Sequence, residues 1–180
     1  PEVYGRLDQA AQPVLAVSGS KNTGKTWLLE HLVSILAGAG VRAAVIKHDG
    51  HEFEADVPGT DSHRMKKAGA FGTVVYSGTR FALVKDQAGL EARDFFGYFP
   101  EADILLLEGQ KNSAYPKIEV LRQEISCSPV CSPETVLAYV ADCQVSQQGS
   151  REPRQVFAFD QLDEVAELAI HHMDAVFFKN

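Results

Sequence analysis

The chain has 180 residues, 45% of them apolar and 23% charged, the balance of a water-soluble globular domain with a real core. Its formal charge of −7 argues against nucleic acid as the main partner, since phosphate-backbone binders usually present a basic face. No apolar run approaches the length of a membrane-spanning helix.

Residues 1–12 read as a polar lead-in, and residues 13–180 as one domain. Pro1-Glu2-Val3-Tyr4 lacks the basic-then-apolar pattern of a signal peptide, which favours a cytoplasmic reading. The apolar run Val14–Val17 then gives way to Gly19-Ser20-Lys21-Asn22-Thr23-Gly24-Lys25-Thr26, followed by Leu28, Leu32, Ile35 and Leu36 at helical spacing. Strand, glycine-bounded loop and helix are the context in which G-x-x-x-x-G-K-[ST] marks a phosphate-binding loop. The glycines let successive N–H groups turn inward, and the helix start adds unpaired donors and a partial positive charge. Lys25 supplies a full charge for the β- and γ-phosphates, and the Thr26 hydroxyl a ligand for Mg²⁺.

Gly38-Ala39-Gly40 stops that helix, and Val41–Lys47 reads as a second buried strand, which favours a parallel α/β sheet. The acidic stretch His48–Gly59 (HDGHEFEADVPG) follows at the strand's C-terminal end, the edge where such sheets bind ligands. Asp49, Glu52, Glu54 and Asp56 are candidates to hold a cation, and His48 and His51 to meet metal or phosphate. A solvated turn explains the same composition. Thr60 or Asp61 caps a short helix ending at Gly69. Thr73–Ser77 and Arg80–Val84, joined by Gly78-Thr79, predict an inserted hairpin whose edge either stays within one subunit or pairs with a second.

Gly89–Phe99 predicts a helix with Leu90, Phe95, Phe96 and Phe99 in the core, closed by Pro100. Ile104-Leu105-Leu106-Leu107-Glu108-Gly109 is a central buried strand ending in an acid, the Walker B arrangement, which puts Glu108 on the Mg²⁺ side. Lys117–Leu121 and Val136–Val140 add strands, and Val156–Phe159 a last short one before a helix capped by Asp160. Cys127, Cys131 and Cys143 read as inert thiols, since no second Cys/His pair turns Cys127-x-x-x-Cys131 into a zinc site.

The residue chemistry reaches an Mg²⁺–nucleoside triphosphate site. It leaves open a GTPase, a small-molecule kinase with Gln144–Arg154 as lid, and an interaction module that binds nucleotide for structure. No N-K-x-D segment assigns the base. The segments GSKNTGKT, KHDGHEFEADVPGTDSHRMKKAGA and ILLLEGQK together resemble the molybdopterin-guanine dinucleotide biosynthesis adaptor family (MobB) over Val14–Leu121, and VLAYVADCQ with VFAFDQLDEVAELA resembles its C-terminal part. The resemblance implies a P-loop NTPase-like α/β fold and a GTP-binding protein, at most a slow GTPase. It implies a homodimer that assists the guanylyltransferase joining GMP to molybdopterin. It places Asn22 to Thr26 on the phosphates, in the loop where Gly19 and Lys21 are also nucleotide-binding candidates, and Asp61 and Glu108 on the Mg²⁺ or γ-phosphate side. His48, Asp49 and Asp56 shape the adjoining loop. Trp27 and Gln110 depart from the family's usual Thr and Phe.

Overall fold

The computed structural model describes residues 12–50, 53–147 and 152–178. The chain divides into two compact units, one made of residues 1–48 with 95–180 and the other of residues 49–94.

Among the described residues, the first unit is built on six strands: β1 (Val14–Ser18), β2 (Ala43–Lys47), β5 (Ile104–Glu108), β6 (Lys117–Leu121), β7 (Val136–Ala141) and β8 (Gln155–Phe157). They form one sheet in the order β2-β5-β1-β6-β7-β8, every pair parallel. The most apolar strand, Ile104–Leu107, has no exposed surface and pairs on both sides, as a run without alternation requires.

Helix α1 (Lys25–Gly38) places Leu28, Leu29, Leu32 and Leu36 in the core at helical spacing. It stops as the glycines predict. Gly40 takes φ 79°, its N–H donates to the Ala37 carbonyl, and the Val41 N–H donates to that of Leu36, a Schellman closure. Helix α3 (Leu162–Phe177) covers the same sheet face, with Val165, Ala166 and Ala169 buried beside Leu15, Val17, Ile118 and Val120. Its first residue is preceded by Gln161 rather than capped by Asp160; the Gln161 carboxamide accepts the Ala158 N–H at 2.9 Å.

Strand β6 departs from the exposure its alternation suggests. Lys117 and Glu119 are both fully buried and, by strand alternation, lie on the face opposite Ile118 and Val120. Burial lowers the Lys117 pKa, and its ammonium donates to the Ser113 carbonyl at 2.7 Å and the Gln110 carbonyl at 3.2 Å. Glu119 Oε1 accepts the N–H groups of Val130 (2.6 Å) and Cys131 (3.3 Å).

Two further expectations change. Cys127 and Cys143 are joined in a disulfide, so they are not free thiols; Cys131 is free and buried, pushed up to about 12 first by burial and then by neighbouring Glu119. The aromatic segment forms a 3-10 helix, Ala92–Tyr98, in which Phe95 and Phe96 are half-buried while Leu90 and Phe99 stay exposed. Gly97 and the nearby Pro100 leave too little good helix-forming sequence for α-helical turns.

The second unit contains α2 (Asp61–Lys67) and the antiparallel hairpin β3 (Gly72–Tyr76) with β4 (Phe81–Lys85). The turn closes where Gly78-Thr79 predicted it, the Ser77 N–H reaching the Arg80 carbonyl at 2.7 Å. No described helix is long and apolar enough to cross a membrane.

Candidate functional site

The parallel strands β1 and β5 end side by side, with Val17 opposite Glu108 in register. This brings the loop after β1 against the acid that ends β5. Gly19, with φ 135°, opens the phosphate loop where a Cβ would lie 2.4 Å from the Val120 carbonyl oxygen; only glycine fits. Asn22 (φ 65°) and Gly24 (φ 98°) also take left-handed backbone, which turns the chain around a concave surface. Buried Thr23 fixes the turn by donating to the Ser20 carbonyl at 3.1 Å.

Lys25 donates to the Ser20 carbonyl at 2.5 Å. Burial lowers its pKa, and the Glu108 carboxylate opposes that shift. Thr26 donates to Glu108 Oε1 at 2.7 Å, while Lys47 at the end of β2 lies 3.5 Å from Oε2. Behind them, Ser18 donates to the Gly109 carbonyl, and Gly109 and Gln110 adopt positive φ, so the chain turns sharply after the acid. The result is a groove of about 460 Å³ lined by Lys21, Asn22, Gly24, Lys25, Thr26, Trp27, Lys47 and Glu108. Three lysines meet one carboxylate there. The lining suits a polyanion, and the paired Thr26 hydroxyl and Glu108 carboxylate are hard oxygen donors of the type Mg²⁺ takes.

Among the sequence-predicted residues, Gly19, Lys21 to Thr26 and Glu108 come together here. His48 follows β2 in the same unit, exposed, its N–H on the Glu108 carbonyl at 3.4 Å. Asp49, Asp56 and Asp61 belong to the second unit. There Asp56 Oδ1 accepts from Ser62 at 2.9 Å, and its buried Oδ2 has no partner among the described residues. Asp61 stands at the start of α2, exposed and 3.5 Å from Arg64. Glu54 pairs with His63 at 2.9 Å, and among the described residues no three His, Cys, Asp or Glu side chains gather as a metal site. His51, Glu52 and Arg151 lie outside the described residues. Lys47 was missed as a site residue because it reads as one more strand residue; only the register Lys47 opposite Glu108 reveals it. Trp27 lines the groove, its ring 4.3 Å from that of His31 and 5.7 Å from that of Phe159.

A parallel sheet with a glycine-bounded loop after β1, a Lys-Thr helix start and an acid at the end of β5 defines a P-loop NTPase-like protein. Comparison with known proteins narrows this. The sequence profile of the family described as Molybdopterin guanine dinucleotide synthesis protein B matches residues 14–142, and the chain belongs to that family. It is 37% identical over 115 residues to the molybdopterin-guanine dinucleotide biosynthesis adapter protein of Escherichia coli and 34% over 117 residues to that of Haemophilus influenzae. These alignments span 61% and 63% of this chain and 66% of each relative's length. The fold superposes on the crystal structure of Bacillus subtilis MobB with a TM-score of 0.69 at 25% identity, covering 89% of this chain and 97% of that one. For the MobB homolog of Bacillus stearothermophilus the TM-score is 0.63 at 21% identity, over 90% and 98% of the two chains.

Proposed function

We propose that this protein is a GTP-binding adapter in molybdopterin-guanine dinucleotide biosynthesis, assisting the guanylyltransferase that joins GMP to molybdopterin. The observation that carries the nucleotide half is the groove itself: Lys25, Lys47 and Lys21 beside an inward-turned backbone, with Thr26 and Glu108 paired at its edge. Lys25 and the loop N–H groups hold the β- and γ-phosphates. Thr26 and Glu108 hold Mg²⁺, which neutralises phosphate charge when bound. Turnover is slow, because Glu108 is committed to Thr26 and Lys47 rather than poised as a base. The adapter half rests on family membership and on the relatives' names.

A homodimer fits the second unit. Val74, Val75, Tyr76, Phe81 and Leu83 of the hairpin are all exposed, more apolar surface than an isolated hairpin leaves in water. Sedimentation should give twice the chain mass, and Val75→Lys with Leu83→Lys should return it to one.

Calorimetric titration with GTP and ATP, each with and without Mg²⁺, tests the nucleotide reading. Mg²⁺-dependent binding that prefers GTP is expected, followed by retention of the guanylyltransferase on immobilised protein. A preference for ATP, with phosphate passed to an acceptor, would replace this reading with a kinase. The role that family resemblance gives Asp61 predicts that Asp61→Asn slows hydrolysis while binding persists.

A further inference from the structure

A second cleft, of about 310 Å³, lies across the phosphate loop from the groove and shares Asn22 and Gly24 with it. Its other walls come from the chain just past β6 and β7: Arg122, Glu124, Ile125 and Asp142. The volume is at the lower end of what small-molecule sites enclose. A phosphate chain lying in the groove therefore has its organic end beside a ready cavity. We propose, resting on the nucleotide reading above, that this cleft takes the purine base, with Arg122 stacking on it and Glu124 selecting guanine.

The chemistry of each wall points the same way. The Arg122 guanidinium lies 3.7 Å from the centroid of the Phe159 ring and 3.4 Å from Asp142 Oδ2. Held against an aromatic face, a planar guanidinium is a platform on which any base stacks. Half-exposed Ile125 adds an apolar wall. The two carboxylates are not equivalent. Asp142 is already engaged, accepting the Gln123 N–H at 2.7 Å on Oδ1 and Arg122 on Oδ2. Glu124 has no hydrogen bond or ion pair among the described residues, so its acceptors are available at the cleft.

A carboxylate accepts only, and it favours two donors side by side. The guanine edge offers N1–H next to the 2-amino group. Adenine offers its 6-amino group beside an N1 lone pair, which a carboxylate repels. Glu124 thus supplies the discrimination that an N-K-x-D segment would otherwise provide. The walls are also tied: the disulfide Cys127–Cys143 joins the segment after β6 to the one after β7, with Asp142 as its immediate neighbour.

The test is a calorimetric matrix with Mg²⁺: wild type, Glu124→Ala and Arg122→Lys against GTP, inosine triphosphate, ATP and inorganic tripolyphosphate. Both positions are at the surface, and an unchanged melting curve checks that the variants fold. Glu124→Ala should weaken GTP about ten- to a hundredfold, leave ATP and tripolyphosphate within about twofold, and erase the wild-type preference for GTP over inosine triphosphate. Arg122→Lys should weaken GTP and ATP alike, by about fivefold or more, and spare tripolyphosphate. A wild type that binds tripolyphosphate as tightly as GTP, or a Glu124→Ala protein with wild-type GTP affinity, would overturn the cleft proposal and leave the phosphate groove standing. Loss of both GTP and tripolyphosphate binding in wild type would remove the groove, and the cleft with it.

Discussion

The two glycines of the phosphate loop should respond very differently to the same added methyl group. At Gly19 the backbone sits at φ 135°, and a Cβ would fall 2.4 Å from the Val120 carbonyl oxygen, which is a backbone atom of a central strand. Relief requires β1 and β6 to part, so overpacking of about 1–3 kcal/mol adds to a dihedral cost of about 1–2 kcal/mol. At Gly24 the φ of 98° is also unfavourable, but the nearest atoms are the Arg122 side chain at 3.5 Å and the Phe159 ring at 3.7 Å, ordinary contacts. Only the dihedral cost of about 1–2 kcal/mol remains. Gly19→Ala should therefore lose about 2–5 kcal/mol in urea unfolding without ligand, a fall in Tm of roughly 5–15 °C for a domain of this size. Gly24→Ala should lose about half as much. Both should bind tripolyphosphate poorly, since either change turns N–H groups away from the groove. Equal losses at the two positions, or a Gly19→Ala protein within about 0.5 kcal/mol of wild type, would refute the close approach of loop and strand.

Lys25→Ala removes the lysine seated on the Ser20 carbonyl and should weaken triphosphate binding about tenfold or more with little change in melting; unchanged affinity would detach the lysine from the phosphates. Lys117→Met strands the carbonyls of Ser113 and Gln110 and should cost about 2–4 kcal/mol in chemical denaturation, with weaker Mg²⁺ dependence because that loop follows Glu108. Cys131, buried and with its pKa pushed up to about 12, should react with iodoacetamide far more slowly than an exposed cysteine thiol at pH 8, because little thiolate is present. Because its folded pKa is raised, it contributes stability that is intact below pH 9 and lost between about 9 and 12; the difference in unfolding free energy between wild type and Cys131→Ala should be constant below that window and change only within it. Reducing Cys127–Cys143, 16 residues apart, should lower stability by about 3 kcal/mol, and a Cys143→Ser protein should show no further response to reductant.

The sheet was readable because its signals are local. Four apolar residues before Glu108 and a glycine-bounded loop after β1 state their structures without help from the rest of the chain. Gly40 likewise closes α1 by backbone geometry that a glycine announces. Lys117 and Glu119 were illegible for the opposite reason: a charged residue in a strand reads as solvent-facing, and here its burial depends on carbonyls and N–H groups from loops at Gln110–Ser113 and Val130–Cys131. Arg122 and Glu124 carry no motif at all. Their meaning arises from proximity to Asn22, about a hundred positions earlier, which sheet order alone decides. The cysteine pairing is a third such case, since spacing cannot say which two of three thiols meet.

The strand order also governs when the protein becomes competent as it leaves the ribosome. β1 and β2 are made first, yet they are not neighbours; β5 lies between them, and β6 flanks β1 on its other side. The loop encoded by Gly19–Thr26 therefore lacks Glu108 until β5 is made, and lacks the Val120 carbonyl until the nascent chain extends past β6. At ordinary synthesis rates that interval is roughly 5–20 s. During it the emerging segment has no built triphosphate site, so nucleotide can act as a ligand of the nearly finished chain but cannot chaperone its beginning.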